Sequence, residues 1–145
     1  MNGVRVLAVN DEIVQSIVAC GLLRRVRVML SKYMSDPMLC SAAIGVYRNV
    51  SGNDEIKTTL CNDGSLKEML RAMKAHQDSV GIAEHGCGTL AAMALRVPAN
   101  VEKIMIEDGA GHLVVAMKRH PKAVLVQRQG CLAIRNMVAR NQVRG

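Results

Sequence analysis

Apolar and polar positions along this chain follow a helical period. Leu23, Val26 and Leu30 fall three and four residues apart, with Arg24, Arg25 and Arg27 between them, so the stretch from Leu22 to Tyr33 predicts an amphipathic helix. The β-branched residues are scattered among Ala, Leu and Met without strict alternation, which gives strands little support. Glycine and proline mark the breaks. Gly21 permits a left-handed or tight turn, and Ser35-Asp36-Pro37 ends one helix and begins another over about Met38 to Val50.

The same pattern then returns. Asn10-Asp11-Glu12-Ile13 recurs as Asn53-Asp54-Glu55-Ile56, and Gly21 recurs as Gly64, a period of about 43 to 44 residues. A looser third copy shows Asn100, then Glu107-Asp108-Gly109 with a turn at Gly109, then Ala116-Met117-Lys118-Arg119-His120, which echoes Ala72-Met73-Lys74-Ala75-His76. Each unit reads as a short helix, a glycine turn, a second helix, a brief loop and a longer third helix. Unit two runs as Asn53 to Cys61, Ser65 to His76 and about Asp78 to Leu95, with Ser65 and Glu68 spaced as a capping box. Unit three opens near Pro98, breaks at His120-Pro121 and ends on a helix to about Arg140. One such unit cannot bury its own apolar face, so the copies must stack into an all-α solenoid of about three units. The division is 10–52, 53–97 and 98–145, with residues 1–9 resembling the tail of a preceding third helix. The first and last units lack an obvious polar capping pattern, which suggests a longer array or self-association.

Half the residues are hydrophobic, yet there is no Phe or Trp and only Tyr33 and Tyr47, so Leu, Ile, Val, Ala and ten Met must build the core. No apolar run approaches the length of roughly 18 residues that a membrane span needs. Five cysteines without a Cys-x-x-Cys pair read as buried, reduced thiols and suit a cytoplasmic or nuclear setting. Cys87 and Cys131 occupy equivalent positions, which favours packing over reactivity. The formal charge is +7, and no acid follows Asp108. A one-sided field of that kind favours an acidic partner.

The third helices carry a recognisable pattern. Ile44-Gly45-Val46-Tyr47-Arg48-Asn49-Val50 and Leu132-Ala133-Ile134-Arg135-Asn136-Met137-Val138 resemble the A-L-x-N-L-A signature of armadillo repeats. The resemblance implies a right-handed superhelix whose third helices line a concave groove for extended partner segments. It also implies roles by position. Asn49 and Asn136 stand where family members hold the partner backbone, and Ala92 replaces that Asn in the middle unit. Gly45, Gly88 and Leu132 stand where many members have Trp. Arg48, Arg96, Arg128, Arg135 and Arg140 stand near the groove where acids would hold a basic segment, so these departures argue against binding of nuclear-localisation signals.

Competing chemistry is thin. Gly86-Cys87-Gly88-Thr89-Leu90-Ala91 fits a dinucleotide fingerprint formally, but no strand pattern precedes it. His85 and Cys87 are two apart and face different sides of a helix, and His76 and His120 fall at equivalent turns. The sequence therefore points to a non-enzymatic scaffold, without cofactor or metal, that holds an acidic, extended protein segment through Arg48, Asn49, Ala92, Arg96, Arg128, Arg135, Asn136 and Arg140. Two alternatives stay open. One is attraction of nucleic acid or an anionic surface to the basic last third, which the shortage of stacking aromatics disfavours. The other is self-association. A local hydrogen bond for the Asn pair, and a solvated face for the arginines, are the plainer readings.

Overall fold

The computed structural model describes the backbone of residues 11–18 and 20–144 and the side chains of 11–18 and 20–139. Asn10 and the 1–9 tail lie outside the described residues. Helices occupy residues 11–18 (α1), Leu22–Lys32 (α2), Pro37–Val50 (α3), Asp54–Asn62 (α4), Ser65–Ala75 (α5), Val80–Ala94 (α6), Pro98–Ile106 (α7), Gly109–Arg119 (α8) and Val124–Arg144 (α9). No strand occurs among the described residues. The helices fall into three sets of three, called here repeats one to three. Like stacks on like: α4 meets α7, α5 lies between α2 and α8, and α6 lies between α3 and α9. The result is an all-α solenoid of armadillo type.

Local chemistry sets the boundaries. Asp36 caps α3 by accepting from the backbone N–H of Met38 at 3.0 Å and Leu39 at 3.2 Å, and Pro37 supplies the first helical residue. Asn53 and Ser79 cap α4 and α6 in the same way, accepting from Ile56 and Ile82. Gly21 and Gly64 turn the chain between first and second helices at φ 75° and 96°.

In repeat three that left-handed place falls to Asp108, at φ 60°, and not to the predicted turn residue Gly109. Aspartate tolerates this conformation better than most L-residues. Gly109 is instead the first residue of α8, where a Cβ would sit 3.0 Å from the Ile104 carbonyl oxygen and collide with the Ile104 side chain. One further expectation needs correction. Ser65 forms no capping box, because Gly64 holds the cap position and Asp63 accepts from the Ser65 N–H at 2.9 Å. Asn100 lies inside α7, where Val97 takes the place of Asn53. Its side chain is buried and donates to the Met93 carbonyl at 3.0 Å, joining repeat three to repeat two.

The core is aliphatic and runs unbroken through the repeats. Leu30, Ile44, Leu60, Met69, Ile82, Leu90, Met93, Ile104, Leu113 and Val126 are almost fully buried. Small residues let helices approach: Gly86 lies under Met73, and Gly130 lies under Met117 at the same place one repeat later. The glycine-rich stretch from Gly86 thus sits mid-helix in α6 and has no phosphate-binding geometry.

Methionine divides between inside and outside. Met69, Met73, Met93 and Met137 are buried, whereas Met29, Met38 and Met105 are exposed. Cys40, Cys61 and Cys87 are buried, but Cys20 and Cys131 are exposed. The expectation of five buried thiols fails at Cys20 and at Cys131, which lies on a side of α9 that no described residue covers.

Candidate peptide-binding face

The third helices form one continuous side of the stack. Where α3 meets α6, two glycines replace bulk. The His85 ring of α6 lies over Gly45 of α3, with Nε2 3.5 Å from where a Cβ would stand. Arg48 of α3 reaches the other way and lies across Gly88, so closely that a Cβ there would collide with its Nε. Each helix therefore lends a side chain to the gap in the other. Beside this crossing lies an open depression of about 530 Å³ lined by Met38, Ser41, Ala42, Gly45, Asn49 and His85.

The predicted residues do not form a single ladder. Asn49 is exposed and stands at the depression. Asn136 is half-buried, and its Nδ2 donates to the Ala91 carbonyl of α6 at 2.9 Å, so its amide N–H already joins repeats two and three. This is a bond between repeats, unlike the local bond that was the plainer reading. Ala92 is half-buried on α6, and its carbonyl accepts from Lys57 at 3.1 Å.

Arg128 and Arg135 are exposed on α9, and Arg48 is half-buried. Arg96 is not on a third helix: α6 ends at Ala94, and Arg96 takes a left-handed turn at φ 62°. The physical reason is Pro98, which opens α7 and holds Val97 extended, so the chain must reverse within two residues. Arg140 belongs to α9, but its side chain lies outside the described residues.

Two participants escaped the sequence reading. The sequence offers His85 only as a partner for Cys87, yet it stands one period after Ala42 and lines the same depression. Lys57 stands where repeats one and three carry Val14 and Val101, a lysine at an apolar position. It is buried, and its ammonium donates to the Ala92 and Leu95 carbonyls at 3.1 and 2.7 Å and pairs with Asp54 at 3.0 Å. A cation thus closes the negative end of the α6 dipole.

The buried thiols are muted. Burial pushes the Cys61 and Cys87 thiols up to about 12 and raises that of Cys40 as well. Among the described residues, no three His, Cys, Asp or Glu side chains gather to hold a metal ion. Nor, among those residues, is any helix long and apolar enough to cross a membrane.

Comparison with known proteins points one way. The chain is 32% identical to armadillo repeat-containing protein 6 of Pongo abelii over 102 residues, covering 65% of this chain and 20% of the relative. The Homo sapiens protein of the same name gives the same figures. Protein aardvark of Dictyostelium discoideum is 32% identical over 135 residues, covering 85% of this chain and 18% of the relative. The chain thus spans about a fifth of the length of these curated relatives. No family model matches it, and no solved structure matches it significantly. Stacked three-helix units and these likenesses together make the chain an armadillo-type helical repeat, similar to armadillo repeat-containing protein 6 and to aardvark.

Proposed function

We propose that this chain is a non-enzymatic interaction scaffold whose third-helix face holds an extended, acidic segment of a partner protein. The observation that carries the reading is the exposure of Asn49 at the open depression between α3 and α6. An amide offers both a donor and an acceptor, so it can pair with any extended backbone regardless of side chains. Arg48 on α3 and Arg128 and Arg135 on α9 bring positive charge to the same helices, and guanidinium groups pair with carboxylates bidentately. Asn136 enters this reading chiefly as a brace for α9, because one N–H of its amide donates to the Ala91 carbonyl. The partner backbone is then held chiefly at repeats one and two, and its acidic side chains are drawn towards repeat three.

Titration of labelled acidic and basic peptides in rising salt tests the polarity. Acidic peptides should bind tighter, lose affinity as salt rises, and lose roughly tenfold on Asn49→Ala, the scale of one well-made hydrogen bond. Tighter binding of the basic set would overturn the reading. So would random DNA or RNA outcompeting the acidic peptides, which would leave only generic phosphate attraction.

A further inference from the structure

Arg48 differs from the other described arginines of the third helices. Arg128 and Arg135 are exposed on α9, whereas Arg48 is half-buried, and its Cδ and Nε fill the notch that Gly88 leaves in α6. Three residues earlier on both helices, the His85 ring fits over Gly45. The two fits are unequal. At Gly45 a Cβ would meet the ring at 3.5 Å, an ordinary contact, so His85 would stay where it is. At Gly88 a Cβ would collide with Arg48, so that notch exists only while the position carries no side chain. At the equivalent positions of the next junction stand Ala91 and Leu132, which offer neither a cation nor a gap.

The polar groups of this crossing are unmatched. Arg27, Arg71 and Arg119 each pair with a carboxylate. Among the described residues Arg48 has neither an ion pair nor a hydrogen bond, and the buried Nδ1 of His85 has no partner there either. A guanidinium presents five N–H donors in one plane and no acceptor. Ser41 and Asn49 add further donors at the adjoining depression, and no described acid lines it. The crossing is therefore rich in donors and poor in acceptors.

We propose that Arg48, set in the Gly88 notch, is the seat for one carboxylate of the partner, so that the bound segment carries an aspartate or glutamate at one fixed position. This rests on the acidic-segment reading above and narrows it from overall charge to a single residue. One guanidinium meets one carboxylate through two parallel hydrogen bonds and balances its charge. A phosphoryl group carries about −1.5 to −2 at neutral pH and would stay partly unmatched. The notch supplies orientation: with its stem held, Arg48 loses little freedom when the ligand arrives.

Fluorescence polarisation with an acidic peptide tests the seat in variants that keep the net charge of +7. Gly88→Ala displaces Arg48, and Arg48→Lys keeps the charge but loses the planar fork; each should weaken binding about tenfold. Gly45→Ala adds the same methyl to the same crossing but leaves His85 in place, and should stay within about twofold of wild type. Circular dichroism checks the helix content, and Arg48→Lys, which adds no bulk, keeps the test if Gly88→Ala does not fold. Changing each acid of the peptide to its amide should find one position that costs about tenfold in the wild type and little in Gly88→Ala. The Arg48 Nε–H resonance needs no peptide: at fixed ionic strength it should shift saturably with acetate in the wild type and not in Gly88→Ala. Wild-type affinity in Gly88→Ala, equal losses in the two glycine variants, or equal losses from every acid would overturn the seat and leave the acidic-segment reading standing. An acetate response without binding of acidic peptides would keep the seat and remove that reading, and neither response would remove both. Tighter binding of phosphoserine than of glutamate at the key position would overturn the assignment to a carboxylate.

Discussion

Lys57 shows how a single side chain can hold a repeat together. Its ammonium serves two carbonyls at the end of α6, while its partner Asp54 is largely exposed and adds little. In Lys57→Met the volume is kept, but the Ala92 and Leu95 carbonyls lose their donor. Stability should fall by about 1–3 kcal/mol, the cost of leaving buried polar groups unpaired, read as a lower urea midpoint. The glycines separate by what surrounds them. In Gly109→Ala the new methyl meets the Ile104 backbone, which cannot yield, so a loss of about 1–3 kcal/mol is expected. In Gly88→Ala the obstacle is the flexible end of Arg48, which can swing away. Thermal melts should therefore show the smaller shift for Gly88→Ala. Lys57 was hidden in the sequence because a lysine at an apolar position reads as a departure from pattern. Only the packed structure shows the carbonyls it reaches.

At the scale of helices, the boundaries were largely legible because they rest on local chemistry. Asp36-Pro37, Asn53 and Ser79 cap their helices through bonds two or three residues long, and such bonds are written in neighbouring letters. The opening of repeat three at Pro98 was legible for the same reason, but its left-handed turn was misplaced by one residue. That residue is Asp108, and the glycine beside it carries the stronger turn signal in the sequence. Contacts between helices were not legible. Asn136 matched the family pattern, but its bond to Ala91 depends on how far α9 lies from α6.

The turns between second and third helices join the repeats through a recurring bond. His76 Nε2 meets the Met34 carbonyl at 2.7 Å, and His120 Nε2 meets the Gln77 carbonyl at 2.8 Å. Arg119 pairs with Asp78 beside the second of these at 2.5 Å. In the double variant His120→Ala/Arg119→Ala, hydrogen exchange should quicken in α7–α9 and stay unchanged in α2–α5. Uniform quickening would mean that the repeats unfold only as one body.

For the whole molecule, the period dictated the architecture, because an apolar face on a single three-helix unit needs a neighbour. The continuous core also predicts the response to alkali. Cys61 and Cys87 rise from an ordinary 9.0 to about 12, and Tyr47 rises from 10.0 to about 12, each chiefly through burial. The folded chain keeps these protons, and the unfolded chain releases them from about pH 9 upwards. Their contribution is intact below that pH and disappears as pH climbs towards 12. Melting temperatures of the reduced protein should decline over that window. Cys61→Ala/Cys87→Ala should flatten the decline even though it lowers the starting value.

The two junctions of the stack are stitched unequally. Among the described residues, repeats two and three share the bonds of Asn100, His120, Arg119 and Asn136, while repeats one and two share those of His76 and Arg27 beside the crossed His85 and Arg48. The first junction thus carries fewer side-chain bonds than the second, and Asn49 stands beside it. A strand laid there would act as a splint, adding at that joint polar links of the kind the second junction already holds.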